Sequence, residues 1–169
     1  MSEPIINKVK ANQKLITLDL AKLFHDPTII YELDIKDFLH MGLLLKEVDF
    51  RAYLENHDWS QYSGKYLSVF CSTEAIITPW AWMLITTHAN NFAKEVFHLS
   101  LKEVTHELYR RNIEFYDWSQ YQNKFVLLKG CGDIHVPDSI YLLATNNLMG
   151  SAKKIMYGEA CSFVPVWKG

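Results

Sequence analysis

The chain has 169 residues, 49% of them hydrophobic and 14% aromatic, which is enough for one compact domain with a sizeable core. Its formal net charge is −2, and its basic residues gather only in pairs such as Arg110–Arg111 and Lys153–Lys154, so it lacks the basic patch that displaces phosphate counterions and no nucleic-acid partner is expected. The polar start MSEPIINKVKANQK has no signal-peptide core, and the most apolar stretch, Ala75–Ile85, is broken by Thr78 and Pro79 and too short for a membrane span, so a cytoplasmic protein without a membrane partner is expected.

In chain order, KLITLDL and TIIYELDI alternate as strands do and are joined by a loop containing His25, Asp26 and Pro27. Asp37–Leu43 reads as a short helical or irregular link. VDFRAYLENH then spaces its apolar residues helically, and the pentapeptide DWSQY follows at Asp58–Tyr62. A strand, KYLSVFC, leads through a polar loop to the helix PWAWMLITTHANNFAK, whose proline suits a first helical turn. EVFHL closes the run. The same order then returns: helical LKEVTHELYRRN, DWSQY again at Asp117–Tyr121, the strand KFVLLKGC, the proline-initiated helix PDSIYLLATNNLMGSAK, and the short apolar run KIMYG.

Asp117 follows Asp58 by 59 residues, and the same offset sets Lys65 against Lys124, Tyr66 against Phe125, Leu84 against Leu143 and Lys94 against Lys153. After a one-residue slip, Cys71 faces Cys131. These matches predict a single domain over 1–169, with N-terminal strands in 1–45 and internal repeats at 46–100 and 101–160. The expected fold is α/β or α+β: a mixed sheet flanked by helices, built around a duplicated strand–helix–strand unit with right-handed crossovers. Within DWSQY, the Asp can cap one helical turn, and Trp and Tyr at i and i+3 share the face that packs inward. The pentapeptide is therefore expected to be a structural turn, not a ligand-stacking platform.

Chemistry points first to the cysteines. Cys71 and Cys131 end strands and Cys161 follows the closing strand, and open α/β sheets collect ligands at the carboxyl ends of their strands. Three thiolates with a fourth ligand from His135, Asp133, Glu74 or His57 would suit zinc or an iron–sulphur cluster, although no CxxC pair is present. Free cysteine is also among the most buried residue types, so three inert core thiols form an open alternative. A thiol-dependent enzyme is a third reading, with His57 or His135 as base, though Glu74 and Asp133 beside the thiols would raise their pKa. GxGxxG, P-loop, HExxH and GxSxG motifs do not occur. Trp80 and Trp82 lie on a helix that is apolar on more than one face, which marks a candidate interface for a protein partner or a second copy.

The segments LITLDL, DIKDFLHMGLLLKEVDFR, NHDWSQY, CSTEAIITPWAWML, KGCGDIHVPDSIY and IMYGEACSFVP span nearly the whole chain. They resemble the domain-of-unknown-function family numbered 2480, proteins of this length from Bacteroidota. That family has no established activity and supplies no catalytic residues to carry over. The resemblance implies a link to SUF-type iron–sulphur assembly, which favours Cys71, Cys131 and Cys161 as ligands for a metal or cluster. The resulting expectation is a non-catalytic cytoplasmic accessory protein of that pathway. Its rivals are an interaction module with buried structural cysteines and, behind that, a thiol enzyme.

Overall fold

The computed structural model describes residues 14–23, 29–130 and 135–169; the predicted loop of His25, Asp26 and Pro27 lies outside them. The first half of the chain forms β1 (Leu15–Asp19), β2 (Ile30–Asp34), α1 (Glu47–Asn56), β3 (Tyr66–Phe70), α2 (Pro79–Ala89) and β4 (Glu95–Phe97). The second half forms α3 (Leu101–Glu114), β5 (Phe125–Lys129), α4 (Asp138–Met149), β6 (Lys154–Glu159) and β7 (Ser162–Lys168). Two compact units emerge. One runs from Asp26 to Thr105, and the other combines the residues up to His25 with those from His106 onward.

The Asp26–Thr105 unit holds a parallel sheet in the order β2-β3-β4, with Ile30 beside Tyr66 and Tyr66 beside Glu95. Parallel neighbours need a crossover, and α1 and α2 lie in the two connections. Leu67, Ser68 and Val69 are all buried, the pattern of a central strand covered on both faces. Ser68, the polar member, donates its hydroxyl to Leu99 O, which removes the cost of burying it. Leu33, Ile35, Phe50, Leu54, Leu67 and Val69 form the core with Ala81, Ile85 and Ala89, which recur every fourth residue of α2. Fully burying such an aliphatic side chain stabilises by roughly 1.5–3 kcal/mol.

The other unit holds a four-stranded sheet in the order β1-β5-β6-β7. Leu15 pairs with Phe125 and Phe125 with Lys154, both in parallel, while β7 returns antiparallel to β6 around the turn at Ala160–Cys161. Val126, Leu127 and Leu128 are buried in the central strand, and Ile140, Ala144 and Leu148 form the inner stripe of α4. The α/β class holds, but the single mixed sheet expected from the sequence is two sheets, one parallel and one mixed. β7 was not among the expected strands, because Pro165 interrupts the run SFVPVWK and reads as a break. β1 and β2, set apart from the repeats in the sequence reading, are the outer strands of the two sheets.

The start of α3 is a capping box: Ser100 N donates to Glu103 Oε2 (2.8 Å) and Glu103 N donates to Ser100 Oγ (3.4 Å). Farther along the same helix, hydrogen bonds from Arg110 and Arg111 hold the Glu107 carboxyl down at about 2. No helix among the described residues is long and apolar enough to cross a membrane.

Both DWSQY pentapeptides adopt the turn that their sequence suggests. The Asp carboxylate accepts from the amide two residues on, at 3.0 Å for Ser60 N and 3.0 Å for Ser119 N. The indole donates to the carbonyl five residues earlier, Trp59 Nε1 to Leu54 O at 2.8 Å and Trp118 Nε1 to Ile113 O at 3.0 Å. Those carbonyls belong to the last turns of α1 and α3, where no intrahelical donor is left. The Tyr hydroxyl meets a ring five residues back: His57 Nε2 at 2.9 Å from Tyr62, Tyr116 Oη at 2.8 Å from Tyr121. Two residues after the pentapeptide the backbone turns left-handed, at Gly64 (φ 70°) in one copy and Asn123 (φ 58°) in the other. Each of these amides then donates across to the chain entering the next strand, Gly64 N to Phe92 O and Asn123 N to Ser151 O. The motif thus closes a helix, turns the chain and starts a strand.

Candidate functional site

The sequence-predicted ligands that lie among the described residues are divided between these two units. Cys71 directly follows β3, is half-buried against the core, and has its Sγ 3.2 Å from Thr73 Oγ1. Cys161 is exposed in the β6–β7 turn. Cys131 and Asp133 lie outside the described residues. Glu74 and His135 are exposed, whereas His57 is engaged with Tyr62 in the first DWSQY turn. Burial lowers the His57 pKa, with Asp58 acting in the opposite direction. Among the described residues, no group of three or more His, Cys, Asp or Glu side chains is arranged to hold a metal ion.

Trp80 and Trp82 are half-buried and turned toward their own unit. The Trp80 ring meets Phe50 edge-on at 5.8 Å, and Trp82 stacks on His98 at 4.1 Å. His98 is fixed in turn by a 2.9 Å contact from Nδ1 to Val69 O. The large apolar side chain that α2 leaves in solvent is Met83, 68% exposed. A smaller groove of about 380 Å³ runs beside Trp80, Met83 and Leu84, edged by Glu47 and Arg51.

A larger apolar groove, about 560 Å³, lies in the other unit between the outer flank of α4 and strands β5, β6 and β7. Tyr141 and Tyr157 line it together, edge to face with centroids 5.7 Å apart. The close fit beneath them depends on Gly130, where any side chain would collide with Tyr141 Oη and press on Val136. Leu142 stands at the α4 side, Val166 at the β7 side, and Met149 at the end of α4. Among the described residues, the one ionisable carboxylate in its lining is Asp138, in the first turn of α4.

Why this face is open follows from the chain path. The pair Tyr141–Tyr157 sits at the 59-residue offset from Trp82–His98. After His98 the chain passes through Leu99 into α3, whereas after Tyr157 it doubles back as a hairpin. The hairpin depends on Gly158, whose φ of 120° is unsuited to other residues and where a Cβ would lie 2.6 Å from Ser162 O. β7 is exposed along nearly its whole length, with Val164 62% and Val166 52% exposed. The signal for this face in the sequence is the run Phe163, Val164, Pro165, Val166, which directly follows the turn at Ala160–Cys161.

Chemically, the groove offers aliphatic and aromatic contact with a few polar groups at its rim, Thr145 and Asn146 among them. Among the described residues, its lining places no thiol or imidazole beside a nucleophile. Such a surface holds apolar groups and orients them. Compared with known proteins, residues 3–169 match the model of a family described as a protein of unknown function. No curated protein and no solved structure matches the chain.

Proposed function

The chain belongs to the family described as Protein of unknown function (DUF2480), and from the face it exposes we propose that it works as a non-catalytic docking module. The observation that carries this reading is the 560 Å³ groove lined by Leu142 and Val166, with Val164 paired to its Tyr157 across the β6–β7 ladder, all three aliphatic residues being more than half exposed. Large aliphatic side chains clustered around a groove favour an occupant that covers them, since leaving each in water forgoes on the order of 1–2 kcal/mol of burial. The reading is of a cytoplasmic protein, supported by Cys71 and Cys161 being free thiols.

The test is a photo-crosslinking amino acid placed at position 142 in the living cell, with one at position 76 as control. Ile76 is 89% exposed and lies in the other unit, on the loop before α2. A discrete protein adduct formed from position 142 and absent from position 76 is expected. Equal labelling at both positions, or none at 142, refutes docking at this face.

A further inference from the structure

We propose that the occupant of the α4–β7 face is the same face of a second copy of this chain, an inference that rests on the docking role proposed above. Area supports it first. Leu142, Met149, Tyr157, Val164 and Val166 together leave roughly 500 Å² of side chain exposed, so two such faces would bury about 1,000 Å², the lower bound for a specific interface.

Charge supports it next. A two-fold contact brings identical residues together, so a charged centre would repel itself. Among the described lining residues the one charged group is Asp138, in the first turn of α4 and so away from the middle of that helix. Shape agrees as well: Leu142, 73% exposed, projects beside the groove, so the same surface carries both a knob and a hollow. An isologous interface needs that combination.

The contact is face to face and not strand to strand. Pro165 has no amide hydrogen, and the β6–β7 register slips beside Ile155 and Met156. Both features blunt a sheet edge against pairing with another strand. Two other strongly exposed apolar residues, Met41 and Leu43, are set apart from this face. Met41 and Leu43 sit on a tight turn with Met41 and Gly42 in the left-handed region, and they border neither groove.

Sedimentation velocity of the full chain from about 1 to 200 µM should show a concentration-dependent dimer. Leu142→Glu and Val164→Glu should each weaken it by about 100-fold or more, because each places two uncompensated carboxylates in one apolar contact. Leu43→Glu should leave it unchanged. Far-UV circular dichroism checks that each variant folds, and Thr145→Arg on the groove wall serves as a second variant if either fails. A chain that stays monomeric throughout, or a dimer that survives both Leu142→Glu and Val164→Glu, overturns the second-copy inference. Loss of the dimer in Leu43→Glu but not in Leu142→Glu overturns it too. The docking role fails separately, through the crosslink at position 142: an adduct with the mass of a different protein retains docking and removes the second copy.

Discussion

Replacing Trp59 by Phe removes one hydrogen bond while keeping an aromatic ring in the same place. The indole Nε1 of Trp59 donates to Leu54 O, one of the terminal carbonyls of α1, and the bond is buried, with Trp59 only 6% exposed. In Trp59→Phe, water reaches that carbonyl poorly, and leaving a buried acceptor unpaired costs about 1–3 kcal/mol. The smaller ring forfeits about 1 kcal/mol more in burial, for a total of about 2–4 kcal/mol. Trp118 makes the same bond to Ile113 O but is only part-buried, and that carbonyl also accepts from Tyr116 N at 3.3 Å, so it keeps a partner without the indole. Trp118→Phe is therefore expected to cost about 1–2 kcal/mol. Urea unfolding followed by far-UV circular dichroism measures both, and Trp59→Phe should lower the midpoint by about 1–2 M. If Trp59→Phe falls within about 0.5 kcal/mol of the parent, or if Trp118→Phe costs more, the indole bond is not what secures the helix end.

His57→Tyr copies the partner that Tyr116 provides in the second pentapeptide. Burial holds the His57 pKa below 6.5, so the native state favours neutral imidazole; stability is full above pH 6.5 and falls as the pH drops from there toward the lower native value. The variant should lose that part of the pH dependence in thermal melts between about pH 7 and 5, and an unchanged profile would show that His57 is not its source. Gly64→Asn places at φ 70° the residue that stands at the matching φ of 58° in Asn123, so it should cost less than about 1 kcal/mol, whereas Gly64→Val should cost more in the same denaturation series. Metal analysis and visible absorbance after anaerobic purification should find no stoichiometric zinc or cluster if docking is the chain's role. A stoichiometric metal lost in both Cys71→Ser and Cys161→Ser would replace docking with the thiolate reading.

Local structure was the most legible part of this sequence. The strands of KYLSVFC and KFVLLKGC, the proline-started helices and the DWSQY turns follow from spacing and capping that act within a few residues. Helix ends are less legible: the run PWAWMLITTHANNFAK predicts a helix to Lys94, whereas α2 stops at Ala89. Long-range pairing was not legible, because nothing in LITLD says that it will lie beside Phe125–Lys129 and that IYELD will lie beside Tyr66–Phe70. Both strands carry the same alternation and the same terminal Asp. The exposed face was hidden for a different reason. Gly158 and Pro165 are ordinary breakers by composition, and only the pairing of β6 with β7 shows that one permits the hairpin and the other blunts its edge. From its sequence an apolar helix looks the same whether its aromatics meet a partner or, like Trp82, their own unit's His98.

The order in which the strands appear along the chain has a consequence during synthesis. Every strand of the Asp26–Thr105 unit finds its neighbours among residues made within one continuous stretch, from Ile30 to Phe97. β1 is made earlier than any of them, yet its partner β5 begins only at Phe125. At translation rates of roughly 5–20 residues per second, that strand waits on the order of 5–20 s for its first backbone partner. Its shortness, five residues ending in Asp19, limits what else it can pair with during that interval. The later unit therefore acquires its sheet around a strand that has been held in reserve while an entire parallel sheet was laid down after it.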